Sequence, residues 1–307
     1  MQTLSQEENR LSSMKKGQLN KGRVLGLMLS LARLLIIFGL GFIILKPLIY
    51  KVLMAFMSTE DLINPAVNLI PTKFSVKFWT MALEQMKLPE SFFYTFTLAV
   101  TVGVLQVISC TMVGYGLGRF KFFGRNVAFV FVILIMLMPY SVISTAQYLR
   151  FVFFGFGSFT VNLMDTYWPV VILAFTGTNI KNGLYIYLMR EFFRTMPGNL
   201  EEAAYIDGCG PIHTFIRVIV PNARGMMTTV FLFSFCWQWT EGTYARRYFS
   251  GIPLLGNIFS EIVGATKLET SIVTNAAAVL ASIPLIILFL VFQKTLVKSI
   301  TLSGMAN

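Results

Sequence analysis

Residues 197–221 read PGNLEEAAYIDGCGPIHTFIRVIVP, a polar segment between two long apolar ones. The opening Pro-Gly pair ends the preceding helix. Asn199 is then placed to cap a short helix over residues 200–206, and Glu202 can reach back to the free amide of the cap in a variant of the capping box. The pattern predicts a short helix that begins at a fixed point.

The second half of this segment predicts another short helix. Gly208 suits the left-handed conformation that closes a helix, and Pro211 suits the first turn of the next one, which runs to about residue 219. Ala203 and Ala204 are small enough to let a partner approach closely. Two short helices joined by a glycine elbow are typical of a docking surface.

The composition indicates an integral membrane protein. Of the 307 residues, 55% are hydrophobic and 13% charged, whereas soluble chains carry roughly 25% charged residues. The apolar residues fall in blocks long enough to cross a bilayer, which requires about 20 helical residues. The net charge of +11 is therefore interpreted as topology signals and contacts to membrane lipid, with no nucleic acid as partner.

The apolar blocks predict an all-α, polytopic fold with six transmembrane helices. They lie within residues 24–57, 92–117, 127–149, 167–193, 222–240 and 271–292. Pro139 predicts a kink in the third span, and Gly177 and Gly183 predict a break in the fourth.

Lys and Arg are concentrated in the loops that follow the second and fourth spans, so the positive-inside rule places these loops and both termini in the cytoplasm. We predict a cytoplasmic N-terminal tail over residues 1–23, without regular structure. A permease domain over residues 24–298 follows, and a cytoplasmic C-terminal tail covers residues 299–307. The segment 197–221 would then face the cytoplasm.

Several kinds of catalytic or metal site lack their residues. The three cysteines form no CxxC pair, His213 is the single histidine, and neither a disulfide framework nor a metal site is predicted. The sequence also has no GxxxxGK[ST] stretch with which to bind ATP. A membrane-embedded enzyme would need clustered acids or a nucleophile with a base, and the spans contain almost no acids.

The segment 197–221 resembles the EAA loop of ABC-importer permeases through Glu202-Ala203-Ala204, Gly208 and the closing Val218-Ile219-Val220-Pro221. Other stretches are similar to sugar-importing permeases of the maltose type, among them Tyr115-Gly116-Leu117-Gly118-Arg119 and Arg190-Glu191-Phe192-Phe193-Arg194. The chain departs from that pattern at Thr145-Ala146, at Gln238 and at Glu241-Gly242-Thr243-Tyr244.

The resemblance implies a permease subunit of an ATP-driven importer in a bacterial-type plasma (inner) membrane, moving a sugar or oligosaccharide into the cytoplasm. Implied partners are a second permease subunit in a heterodimer, two ATP-binding-cassette ATPase subunits and an extracytoplasmic solute-binding protein. The ATPase subunits would bind ATP and Mg, and this chain would hold no cofactor. The residues expected to couple to the ATPase are Glu201, Glu202, Ala203, Ala204, Tyr205, Asp207, Gly208 and Pro221.

A sugar pathway needs aromatic faces and amide or hydroxyl groups. Candidates are Trp237, Gln238, Trp239, Tyr140 and Gln147, although aromatic residues near a membrane boundary are also typical interface anchors. Another solute on the same architecture stays open, whether an anionic sugar, an amino acid or a polyamine. Lys46, Arg246 and Arg247 would suit an anionic sugar.

Overall fold

The computed structural model describes residues 2–67, 70–157 and 159–304. It divides into two compact units, one ending at Lys77 and one beginning at Phe78. Among the described residues, three helices are long and apolar enough to cross a membrane, namely Gly26–Met54, Leu88–Arg119 and Lys267–Lys294. Two further pairs of helices are apolar enough together but are sharply bent, so the described part contains up to five such spans.

The first unit consists of a long helix and a short folded segment. Helix α1 (Gln2–Met54) begins in the N-terminal tail, so the expectation that residues 1–23 lack regular structure is wrong from Gln2 onward. Helix α2 (Thr59–Ile63) follows, and Asp61 holds the loop after it by accepting hydrogen bonds from the Lys73 and Thr72 backbone amides at 3.0 and 2.9 Å. The Lys73 amide and the Thr72 hydroxyl lower the pKa of the Asp61 carboxyl below its usual value.

The second unit is built around helix α4 (Leu88–Arg119), which follows α3 (Lys77–Gln85). The chain continues through α5 (Arg125–Leu137) and α6 (Tyr140–Val152), whose axes differ by 99°. The third predicted span is therefore broken rather than kinked. The break occurs at Pro139, which has no N–H to continue the helical ladder and adopts an extended conformation.

A small hairpin interrupts the helical chain after α6. Strand β1 (Phe154–Phe156) pairs antiparallel with β2 (Phe159–Val161), which the prediction of an all-α fold did not include. Gly157, which follows β1, has φ +62°, a value that glycine adopts without strain.

The fourth predicted span is broken as expected. It consists of α7 (Trp168–Phe175) and α8 (Asn182–Thr195), with Gly177 at φ +73° between them. Gly183, the other glycine from which the break was predicted, lies inside the first turn of α8. At the end of α7 the Thr178 amide bonds to the Leu173 carbonyl, and the Ala174 carbonyl accepts a long backbone bond from the Gly177 amide at 3.4 Å. The Ser109 hydroxyl and the Asn182 side-chain amide also donate to this carbonyl, at 2.8 and 3.3 Å. The break is thus satisfied by side chains inside the protein.

A buried polar network connects this break to two other helices. Gln106 of α4 donates to the Asn182 side chain and accepts from the hydroxyl of Ser234, which belongs to α12 (Arg224–Thr240). These three residues are at most 3% exposed. Because polar groups buried in an apolar bundle must be paired, the network specifies the register of α4, α8 and α12.

Two glycines bring α4 and α8 into close contact. A Cβ atom on Gly114 would lie 2.6 Å from the Met189 Cβ, and one on Gly118 would lie 3.1 Å from the Arg190 carbonyl oxygen. The four-residue spacing places both glycines on one face of α4, the arrangement that lets membrane helices pack backbone to backbone.

The remaining elements are short helices and one long one. The segment after α8 contains α9 (Asn199–Ile206), α10 (Pro211–Thr214), a π-helical turn (Phe215–Ile219) and α11 (Val220–Asn222). After α12 come α13 (Gly242–Tyr248), α14 (Leu255–Ile258) and α15 (Lys267–Gly304). An apolar cluster that includes Phe151, Val170, Tyr248 and Phe249 packs the segment after α12 against α4, α6 and α7.

Candidate functional site: the loop between α8 and α12

The elbow of this loop has the predicted left-handed glycine. Gly208 has φ +82°, its amide donates to the Tyr205 carbonyl at 3.0 Å, and the Cys209 amide donates to the Ala204 carbonyl at 2.9 Å. This pair of bonds is a Schellman motif, which ends α9 and turns the chain towards α10.

The predicted cap at the start of α9 is wrong. Gly198 is already helical, with φ −66° and ψ −29°, and its carbonyl accepts from the amides of Glu201 and Glu202 at 3.0 and 3.2 Å. Asn199 therefore lies inside the first turn, whereas a capping residue must have an extended backbone. No side-chain capping bond forms at this end.

The second helix of the loop starts where Pro211 predicts and then widens. Its π-helical turn over Phe215–Ile219 places the Val220 amide on the Phe215 carbonyl, five residues back. Pro221 lies within α11 and cannot donate a backbone hydrogen bond, which favours such a register change just before it. The helical run Pro211–Asn222 then bends by 73° into α12.

Glu201 attaches α9 to the end of α4. Its carboxylate accepts from the Tyr115 hydroxyl and from the Arg119 Nε, each at 3.1 Å. The side chains of Arg119 and Glu201 are only 15% and 17% exposed. The Arg119 Nη2 also donates to the Pro197 carbonyl at 3.1 Å, so one arginine holds both the start of the loop and its first helix.

An aromatic cluster packs around the same anchor. The Tyr115 ring contacts Phe193 of α8 at 5.4 Å and Phe215 of the π-helical turn at 4.8 Å between centroids. Both helical parts of the loop are therefore packed on the junction of α4 and α8. Sequence reasoning missed Tyr115 and Arg119 as loop anchors, because they lie more than 80 residues from Glu201 and no local pattern connects them.

The two sides of α9 differ in exposure. Ala204 faces inward and is 5% exposed. Two of the other predicted coupling residues, Glu201 and Pro221, are half-buried. The remaining ones are exposed, namely Glu202, Ala203, Tyr205, Asp207 and Gly208.

Two apolar side chains that the sequence analysis did not select also project from the loop. Ile206 is 85% exposed and Ile212 is 76% exposed, on either side of the elbow. The sequence signal that could have identified them is one isoleucine on each side of the glycine elbow in a polar segment. Exposed apolar side chains that lie together mark an interaction surface.

The predicted substrate residues fall into two groups. Trp237, Gln238 and Trp239 end α12. Trp239 is 4% exposed and donates from Nε1 to the Ala281 carbonyl at 3.0 Å, and Gln238 is 7% exposed. Trp237 is 42% exposed, and the Lys181 Nζ lies 3.9 Å from its ring centroid, a cation–π contact.

The other group belongs to α6. Tyr140 and Gln147 lie on this helix, where Tyr140 packs on the cluster of Phe151 and Tyr248, and Gln147 is half-buried. Within the part of the chain that the structure describes, no cluster of three or more His, Cys, Asp or Glu side chains could hold a metal ion.

Known proteins with similar sequences are transport permeases. The maltodextrin transport system permease protein MdxG of Bacillus subtilis (strain 168) is 28% identical over 68% of this chain and 73% of its own length. The polygalacturonan/rhamnogalacturonan transport system permease protein YtcP of the same organism is 23% identical over 84% of this chain and 91% of its own.

A solved structure has a similar fold. One chain of a bacterial ABC transporter involved in the import of the acidic polysaccharide alginate matches with a TM-score of 0.70 and 22% identity. The match covers 87% of this chain and 96% of that one.

The family model described as "Binding-protein-dependent transport system inner membrane component" matches residues 110–302. The matched region is more than half of the chain and includes α9, the elbow at Gly208 and the bend into α12. The chain therefore belongs to the family of inner membrane components of binding-protein-dependent transport systems.

Proposed function

We propose that this chain is the permease subunit of an ATP-driven importer of a sugar or oligosaccharide. The family supplies the transport class, and the solutes named in the relatives' descriptions supply the substrate class. The most specific support within the chain is the exposed side of the loop between α8 and α12.

The proposed contact with the ATPase is the outward side of α9 together with the start of α10. Ile206 and Ile212 are more than three-quarters exposed there, and the acids Glu202 and Asp207 flank them. A solvated loop gains nothing by presenting isoleucines to water, whereas a partner with an apolar groove would bury them. Gly208 would set the angle between the two contacting helices.

The anchoring of the loop suggests how force would reach the membrane. Glu201 and the Tyr115 ring connect α9 to α4 and α8, and the π-helical turn leads directly into α12. When the ATPase subunits close, the loop would move with them, and α4, α8 and α12 would follow as a rigid group joined by the Gln106 network. Such a rigid-body rotation is the usual form of an alternating switch.

Six spans are part of the proposal. They would be α1, α4, the bent pair α5 and α6, the broken pair α7 and α8, α12 and α15. With both termini in the cytoplasm, the loop between α8 and α12 faces the ATPases, and the β-hairpin and α13 lie outside. Arg119, Lys121 and Arg125 in the connection from α4 to α5 support this orientation by the positive-inside rule.

The rest of the assembly follows from the class of transporter. A second permease subunit would complete the pathway, two ATPase subunits would bind ATP and Mg, and an extracytoplasmic binding protein would deliver the solute. This chain would have no ATPase site of its own.

The test is purification of the tagged chain from its own cells in mild detergent, with mass-spectrometric identification of what accompanies it. We expect a P-loop ATPase and a second permease with the native chain. Ile212→Asp should lose the ATPase while keeping the second permease. The control is Ile63→Asp, at an isoleucine that is 73% exposed. It lies between the first and second predicted spans, which the six-span topology with cytoplasmic termini would place outside, and the variant should keep both partners. If both variants kept the ATPase, or if both lost it, the assignment of the ATPase contact to this loop would be contradicted.

A further inference from the structure

A cavity of about 690 Å³ lies between α6, the segment after the hairpin and the end of α13. This volume is within the roughly 300–1,000 Å³ range of small-molecule sites. From α6 it is lined by Thr145, Tyr148 and Val152, which share one face of the helix at spacings of three and four residues. The opposite wall consists of Asn162, Met164, Asp165, Arg246, Arg247, Tyr248 and Ser250.

Asp165 holds the two sides of this wall together. Its carboxylate accepts from the Gly251 and Ser250 amides at 2.9 and 2.6 Å, and from the Ser250 hydroxyl at 2.8 Å. Its own amide donates to the Tyr248 carbonyl at 2.9 Å. Asp165 is the one acid in the lining, and its oxygens are directed to these donors rather than to an arginine.

The two arginines of the wall therefore bring positive charge that the cavity does not neutralise. Within residues 2–67, 70–157 and 159–304, neither Arg246 nor Arg247 forms an ion pair. Arg246 is exposed and Arg247 is half-buried. Because an uncompensated guanidinium at a half-buried position is costly to maintain, a negatively charged ligand group is its natural complement.

We propose that this cavity binds the carboxylate of an acidic sugar, such as a uronic acid unit, and makes the importer selective for anionic sugars. The inference rests on the proposed function, which it narrows from sugars in general to acidic ones. Arg247 would bind the carboxylate through its planar guanidinium. Asn162 and Thr145 would bind ring hydroxyls, and the 37% exposed Tyr148 ring would face the apolar side of the sugar.

The surroundings favour a sugar acid over a purely anionic ligand such as phosphate. Phosphate recognition needs several convergent donors and no hydrophobic wall, whereas here Tyr148 and Val152 of α6 supply an apolar side opposite the arginines, and Met164 adds an apolar side chain to the wall that holds the arginines. A puckered pyranose ring with one carboxylate substituent, several hydroxyls and an apolar face of C–H groups matches that mixture of groups.

The experiment uses the complete transporter with its binding protein, reconstituted in proteoliposomes. Uptake is measured for matched pairs of probes, namely galacturonate and galactose, glucuronate and glucose, and mannuronate and mannose, each as mono- and disaccharide. We expect the acidic member of at least one pair to be imported at least tenfold faster than its neutral counterpart. Arg247→Gln should reduce that uptake by tenfold or more, and Arg247→Lys should retain part of it.

Arg150→Gln is the matched control, because Arg150 is an exposed arginine in the last turn of α6 that does not line the cavity. It should change uptake less than twofold. Labelling with phenylglyoxal adds a measurement on the unmutated protein. An imported acidic sugar should protect Arg247 from the reagent and leave Arg150 labelled, and its neutral counterpart should protect neither.

Each outcome decides the question. Equal uptake of acidic and neutral sugars, or acidic uptake that Arg247→Gln leaves unchanged, overturns this inference while the proposed function stands. Protection of Arg247 by the isolated binding protein without any sugar would assign the cavity to protein docking instead. Import of no sugar of either kind would refute the proposed function itself, and this inference with it.

Discussion

Replacing Glu201 by alanine tests whether α9 is attached to α4 as the geometry indicates. The change removes one charge-assisted hydrogen bond to Arg119 and one hydrogen bond to Tyr115, each 3.1 Å long. It also leaves Arg119, whose side chain is only 15% exposed, without the carboxylate that pairs with it. A neutral hydrogen bond contributes about 1 kcal/mol and a charge-assisted one about 1.5–3 kcal/mol. Because partial solvent access lowers the sum, we expect the substitution to weaken the attachment of α9 by about 2 kcal/mol.

This loss appears as local opening of the loop. Because 1.4 kcal/mol corresponds to a tenfold change in an equilibrium constant, about 2 kcal/mol corresponds to a population of the open loop that is roughly 30-fold larger. Hydrogen–deuterium exchange of the purified chain should therefore show the amides of residues 199–208 exchanging about 30-fold faster, with helices distant from the loop unchanged. A double-mutant cycle with Arg119→Ala should give a coupling energy of about 1 kcal/mol.

The control is a lysine–glutamate ion pair at an exposed position. Lys73 and Glu60 are 69% and 75% exposed, and such pairs contribute little, about 0–1 kcal/mol. Glu60→Ala should leave exchange at residues 199–208 unchanged and should alter its own segment only slightly. Exchange at α9 that rises less than threefold in Glu201→Ala would refute the anchoring role of Glu201.

Three further predictions concern backbone geometry and pH. Gly208→Pro should leave the protein in the membrane yet abolish solute-stimulated ATP hydrolysis, because proline cannot adopt the φ of +82° at the elbow; normal transport would contradict the coupling role of the loop. Gly114→Leu should lower the thermal unfolding temperature, because even a Cβ there would lie 2.6 Å from the Met189 Cβ, whereas Gly116→Leu, which faces open space, should not; equal effects would refute the close contact of α4 and α8. Asp165 has a pKa below its usual value, mainly because the Gly251 amide donates to it. Its contribution to stability is therefore complete above the unfolded pKa of about 3.9 and is lost only as the pH falls through the lower folded value. Limited proteolysis near residue 165 should increase below about pH 4 in the native chain and at every pH in Asp165→Asn, and a transition near pH 6 would contradict this.

The local features of the loop could be predicted because neighbouring residues determine them. Gly208 is the only glycine in a position to end α9, and Pro211 can begin a helix without needing a donor. The break in the fourth span followed similarly from Gly177. The assignment of Asn199 as a cap failed because capping depends on where the first helical turn starts, and here Gly198 is already helical.

Contacts between distant residues could not be predicted from one sequence. Nothing near Glu201 indicates that its carboxylate will meet Tyr115, and the Gln106 network joins three helices that no local pattern connects. The angle at Pro139 was underestimated for a related reason. A proline indicates a disturbed helix, but the packing of α5 and α6 against their neighbours decides whether the result is a kink or a 99° break.

The substrate residues stay a prediction. Aromatic and amide side chains near the end of α12 predict a sugar pathway, and the structure adds only that Trp239 donates to the Ala281 carbonyl inside the bundle. The cavity beside α6 collects residues from three separate segments. Its two arginines were noted in the sequence as suited to an anionic sugar, but their position opposite Tyr148 and on the same wall as Asn162 required the fold.

Photo-cross-linking from the loop would show whether its exposed side contacts an ATPase subunit. A benzophenone amino acid is placed at Tyr205, which is 45% exposed, and separately at Phe215, whose ring packs on Tyr115. In membranes containing the whole transporter, we expect an adduct between position 205 and an ATPase subunit, and only products within the chain from position 215. Absence of an ATPase adduct at position 205, with the complex intact, would contradict the assignment of this loop as the coupling surface.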